Sequence, residues 1–184
     1  MPGRVMQVFL FSGHRVDAPG RAPARFPPHR VPAAAAAIEA QLDTLQAAPG
    51  DLALTQGAAG GDILFAEACL RRGLTLQLCL PQPEPVFVQD SVRACQDGAA
   101  WVARWQAIRR HVEPRVLPAG RGDVYERCNR WLLEQALAHG AGALRFICLW
   151  DGAAGAAGGT GHMVHEVQRA GAAVHWIDIR TLHP

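Results

Sequence analysis

Three glycine-bearing segments carry the groups best suited to meet a ligand. Ser12-Gly13-His14-Arg15 ends a first apolar run, Gly57-Ala58-Ala59-Gly60-Gly61-Asp62 follows a second, and DGAAGAAGGTGHMVHE occupies 151–166 after a third. In the first, Gly13 allows a tight turn, and the Arg15 fork suits a phosphate or a carboxylate unless it is only a solvated surface arginine. In the second, Gly57, Gly60 and Gly61 leave backbone N–H groups uncovered just before a helix, an arrangement that binds anions without a charged side chain. Asp62 reads either as the N-cap of that helix or as an acceptor for a ribose hydroxyl. In the third, Gly158, Gly159, Thr160 and Gly161 repeat the pattern and add a hydroxyl.

Metal chemistry is not expected from His162, His165 and Glu166. Both metalloprotease spacings are missing, and no cysteine is near enough to complete a zinc set. Glu166 reads as an acid or base on a ligand, or as a solvated helix-face glutamate. On the helix that carries VYERCNRWLLEQA, an i, i+4 pair of Glu126 with Arg130 accounts for two of the charges.

These segments need strands behind them and helices ahead of them, and periodicity supplies both. Apolar runs predict strands at Val5–Phe11, Asp51–Thr55, Leu74–Leu80, Ala143–Trp150 and Ala173–Ile179, with a short one at Arg115–Leu117. Helical spacing predicts helices at Ala33–Ala48, from Asp62 to Arg72, one or two within Val88–His111, at Asp123–His139, and from about Gly161 to Ala170. Residues 18–32 hold five prolines and are read as non-helical. Strands alternating with helices predict an α/β fold, an open parallel-sheet Rossmann-like three-layer sandwich forming one domain over 1–184. In such a sheet ligands bind beyond the strand C-terminal ends, where all three segments fall.

Composition removes several function classes. All 18 basic side chains are arginine, so a Walker A loop and chemistry through an internal lysine Schiff base are both excluded. A net charge of +2 neither demands nor forbids a polyanionic partner. The five cysteines include no C-x-x-C pair, which fits a reducing compartment. The apolar runs are far shorter than the roughly 20 residues that span a bilayer, and no signal-peptide pattern precedes them, so a cytoplasmic chain without a membrane partner is expected.

The order of motifs resembles the SLOG superfamily, named for the cytokinin-activating LOG phosphoribohydrolases and including DNA-processing protein A. The motifs are S-G-H-R, then G-A-A-G-G-D-I-L-F-A-E-A, then Y-E-R-C-N-R-W-L, then W-D-G followed by G-G-T-G. The resemblance runs from about residue 5 to 179 and implies a domain that holds a nucleotide or nucleotide-derived phosphorylated ligand, a sensor module being one form of that role. The residues so implicated are Ser12, Gly13, Arg15, Gly57, Gly60, Gly61, Asp62, Asn129, Asp151, Gly158, Gly159, Thr160 and Gly161, with no cofactor.

LOG enzymes cleave a base–ribose N-glycosidic bond, and by resemblance Arg127 and Glu166 would be the catalytic pair here, with Glu67 as another carboxylate. The pattern departs in two places. Ala157 stands where LOG enzymes carry proline, and Glu166 lies about two residues too far along its helix, a rotation of about 200°. Ligand binding is therefore the leading expectation and hydrolysis of a nucleoside monophosphate the alternative. Single-stranded DNA binding, through Trp101 and Trp105 with Arg104, Arg109 and Arg110, ranks below both, because tryptophans at i, i+4 more often form a core stripe. The resemblance also implies a homo-oligomer, for which the tryptophan-bearing segment would be an interface.

Overall fold

The computed structural model describes residues 4–183. Six parallel strands form one sheet: β1 (Val8–Gly13), β2 (Leu52–Thr55), β3 (Thr75–Leu80), β4 (Arg115–Val116), β5 (Leu144–Trp150) and β6 (Val174–Asp178). Their spatial order is β4-β3-β2-β1-β5-β6. Six helices join them: α1 (Val31–Thr44), α2 (Gly61–Arg71), the short α3 (Glu84–Phe87), α4 (Gly98–Arg109), α5 (Val124–Leu137) and α6 (Thr160–Arg169).

Alternation along β1 explains the layering. Phe9 and Phe11 point to one face and pack with Ile38 of α1, Ile63 of α2 and Trp105 of α4. Val8 and Leu10 point to the other and pack with Leu132 of α5 and Met163 of α6. Both faces are covered by helix, which is why the central strands read as unbroken apolar runs. The expected three-layer parallel α/β sandwich is the fold observed.

Boundaries differ from the sequence reading where pairing overrides residue type. β1 starts at Val8 and extends through Ser12 and Gly13, because these two stay in register with Cys148 and Leu149 of β5. Helix α1 begins at Val31, inside the proline-rich stretch, since Pro32 falls in its first turn where no backbone donor is needed. The Val88–His111 segment divides into a wide π turn over Val88–Arg93 and then α4.

Trp101 and Trp105 are buried against the sheet, so they offer neither a stacking platform for DNA nor an exposed interface. Arg104 lies over the Trp101 ring and makes a two-pronged ion pair with Glu67. No helix among the described residues is long and apolar enough to cross a membrane.

Candidate functional site

The sheet order reverses at β1. The chain steps outward from β1 to β4, then returns to β1's other side with β5, so the loops after β1 and β5 leave toward opposite faces. Between them opens a cleft of about 340 Å³. Ser12, Gly13, Arg15, Asp62, Asn129 and Gly158 to Gly161 all line it. Gly57, Gly60, Gly61 and Asp151 do not line it directly, and each has a role behind its wall.

The β2 loop is spent on the protein itself. Gly60 has φ 111° and crosses the β1 loop so closely that a Cβ would stand 2.7 Å from the His14 carbonyl oxygen and 2.8 Å from the Val16 nitrogen. Across this contact Gly61 N–H donates to His14 O at 3.0 Å, and Val16 N–H donates to Ala59 O at 3.1 Å. Gly13 and Gly61 also meet backbone to backbone. Gly57, at φ 97°, makes room for the Trp105 ring.

Asp62 is not the N-cap of α2; Gly60 holds that position. The Asp62 carboxylate reaches back instead. It accepts N–H groups from Gly13 at 3.1 Å and from Gly57 and Ala58 at 3.2 Å each, tying two strand ends to one helix. Asp62, 7% exposed, thus spends three of its acceptor positions on the protein's own backbone. Burial pushes its carboxyl up to about 7, against the pull of those three N–H donors.

The β5 loop is held differently. Asn129, 1% exposed on α5, donates from Nδ2 to Gly158 O at 2.8 Å and accepts on Oδ1 from Gln56 at 3.1 Å. Gly158, at φ 71°, lies directly on the first turn of α5, where any Cβ would run into Tyr125 and the Glu126 nitrogen. The loop is thus clamped at its end. At the N-terminus of α6, by contrast, the N–H groups of Thr160, Gly161 and His162 find no acceptor among the described residues, and Gly159 gives no side-chain cap. The Thr160 and Ser12 hydroxyls face each other at 3.4 Å beside these donors.

His14, whose chemistry the sequence reading passed over, bridges the two loops. Its Nε2 lies 3.0 Å from Asp151 Oδ1 and receives the Asp151 backbone N–H at 3.1 Å. Burial, then the nearby Arg25 charge, lower its pKa to about 4 even though Asp151 opposes them, so the ring is neutral near pH 7. For Asp151 burial pushes up, but the Ala153 N–H and His14 outweigh it, and the group sits below its ordinary value. Arg15 lies exposed at the rim and donates to Asp90 O at 2.7 Å. Arg25, from the proline-rich stretch, also lines the cleft. No periodicity marked that residue, and only the three-dimensional course of the loop puts it there.

The residues proposed for hydrolysis lie elsewhere. Arg127 does not line the cleft: its guanidinium donates to Pro118 O and lies against Gly120. Glu166 faces Arg130, Arg169 and His162 on the outer side of α6, at 3.6 to 3.8 Å. The Glu126–Arg130 pair forms as expected, at 3.3 Å. No group of three or more His, Cys, Asp or Glu side chains among the described residues is arranged to hold a metal ion.

No protein-family model and no curated protein matches the chain. Among solved structures it is similar to the Moco carrier protein from Chlamydomonas reinhardtii, at 14% identity over 95% of this chain and 91% of that one, with a TM-score of 0.38. Likeness at that level carries no argument about the ligand.

Proposed function

We propose that the protein binds a nucleotide or nucleotide-derived phosphorylated ligand, with a phosphoryl group at the N-terminus of α6. One observation carries this reading: the backbone donors of Thr160, Gly161 and His162 lack acceptors among the described residues, and Thr160 and Gly161 line a cleft at the sheet's reversal point. Aligned N–H groups and the helix dipole together favour an anion there. The Ser12 and Thr160 hydroxyls supply further donors to phosphoryl oxygens. Binding is preferred to N-glycosidic cleavage because Arg127 and Glu166, the residues suggested for that reaction, stand outside the cleft.

The test is thermal unfolding with nucleoside monophosphates and diphosphates, cyclic nucleotides, NAD and ADP-ribose. A ligand at a hundred times its Kd adds about 2.7 kcal/mol, which raises the melting temperature of a domain this size by roughly 5–11 °C. Failure of the whole panel to stabilise the protein would refute the reading.

A further inference from the structure

The stretch between β1 and α1 is irregular but firmly fixed on either side of one arginine. Asp17, 5% exposed, accepts the backbone N–H of Arg25 at 2.9 Å and of Phe26 at 3.0 Å, both on Oδ2. The Asp17 N–H returns a bond to Phe26 O at 2.9 Å, and the Phe26 ring is fully buried in the core. These contacts orient Arg25 into the cleft without using its guanidinium.

That guanidinium is unmatched. Every other half-buried arginine among the described residues donates to a carboxylate or a carbonyl, as Arg30, Arg72, Arg104, Arg109 and Arg145 do. Among the described residues, the buried Arg25 Nε has no acceptor and no carboxylate lies within ion-pair distance of the group. Burial, then Arg21 and Arg15, act against its charge, and Asp151 and Asp17 offset them only from a distance. A half-buried cation without a partner is costly unless something else supplies the negative charge. Its planar fork fits a phosphoryl or carboxylate group through two parallel bonds.

We propose that Arg25 is a second anion subsite of the cleft, so that the ligand carries two anionic groups, one seated at the α6 N-terminus and the other on Arg25. This rests on the α6 reading above and narrows it, among phosphorylated ligands, to those that carry a second anionic group. The subsite discriminates by reach, since a ligand too short to span both positions gains nothing from Arg25.

Calorimetric titration at 0.15 M salt with inorganic phosphate, pyrophosphate and tripolyphosphate tests it, on wild type, Arg25→Ala, Arg25→Gln and Arg93→Ala. Arg93 is an exposed arginine away from the cleft and controls for general loss of positive charge. The wild type should bind at least one of the longer anions tenfold or more tighter than phosphate. Both Arg25 variants should lose that advantage while their phosphate affinity, and that of Arg93→Ala for every anion, changes less than about twofold. If phosphate does not bind the wild type, the α6 reading fails. If phosphate binds but the longer anions gain nothing, or keep their advantage in both Arg25 variants, or lose it equally in Arg93→Ala, the Arg25 subsite alone is overturned. Because the Arg25 side chain bonds to nothing among the described residues, its variants should melt within a few degrees of wild type, and Arg25→Gln preserves the length of the side chain if Arg25→Ala does not fold.

Discussion

Gly60→Ala separates two explanations for the glycines of the β2 loop. If Gly60 is there to let a ligand approach, a methyl group should cost the unliganded protein only the strain of its backbone, φ 111° and ψ −129°. If it is there for the crossing with the β1 loop, the methyl group meets backbone atoms that cannot swing aside, at 2.7 Å from His14 O and 2.8 Å from Val16 N. Relieving that contact breaks or stretches the Gly61-to-His14 and Val16-to-Ala59 bonds. Backbone strain of about 1–3 kcal/mol and two hydrogen bonds at about 1 kcal/mol each give a loss of roughly 3–5 kcal/mol. That is a large share of the roughly 5–15 kcal/mol of a typical domain, and lowers the melting temperature by about 6–20 °C. Gly140→Ala is the internal standard: φ is 95°, nothing lies within 4 Å of a Cβ, and only the backbone term applies. Urea and thermal denaturation of both variants without ligand would read the difference. Equal losses in the two would refute the crossing argument and return Gly60 to the ligand.

Two further outcomes follow from buried polar groups. Between about pH 4 and 6.5 the folded protein keeps a proton on Asp62 that the unfolded chain has shed, so this group's contribution to stability falls as pH rises; His14 does the reverse, because the unfolded imidazole takes a proton that the folded one refuses. The wild type should therefore be nearly flat across that window, with Asp62→Asn exposing a rise with pH and His14→Asn a fall, each of up to about 3 kcal/mol; urea titrations at three pH values would show it, and flat profiles in both variants would contradict it. Asn129→Ala strands the Gly158 carbonyl and the Gln56 amide beneath the β5 loop and should cost about 2–3 kcal/mol by denaturation. It should also weaken binding of any ligand found in the panel, because the first turn of α6 loses its fixed approach.

The alternation of strands and helices was legible because each buried strand here is a short apolar run and each covering helix a periodic one. The three glycine loops were legible as loops at strand ends. Their separate duties were not, since a glycine that admits a ligand and a glycine that admits a neighbouring backbone look the same in sequence. Asp62 was misread as a cap for a similar reason: local spacing shows a carboxylate near a helix start, but its actual partners include Gly13, on another strand. Arg127 had a persuasive local context and points elsewhere, toward the Pro118 carbonyl. Arg25 had none, because its position comes from Asp17, eight residues away along a stretch without periodicity.

Topology explains why two segments of one local pattern, strand then glycine loop then helix, do opposite things. The loops after β1 and β2 leave neighbouring strands toward the same face, so they must pass each other, and the glycines at Gly13, Gly60 and Gly61 allow that passage. The donors nearest the start of α2 are used there: Gly61 N–H binds His14 O, Ile63 N–H binds Ala58 O, and the Asp62 side chain accepts the Gly57 and Ala58 N–H groups beside them. The loop after β5 leaves for the other face, at the point where strand order reverses; His14 takes its Asp151 N–H, but nothing among the described residues accepts the N–H groups of Thr160, Gly161 and His162. The first turn of α6 is left with open donors for that reason. Which glycine loop keeps open donors is thus decided by the side of β1 on which its strand lies, and this is set by the order of strands in the sheet rather than by the residues of the loop.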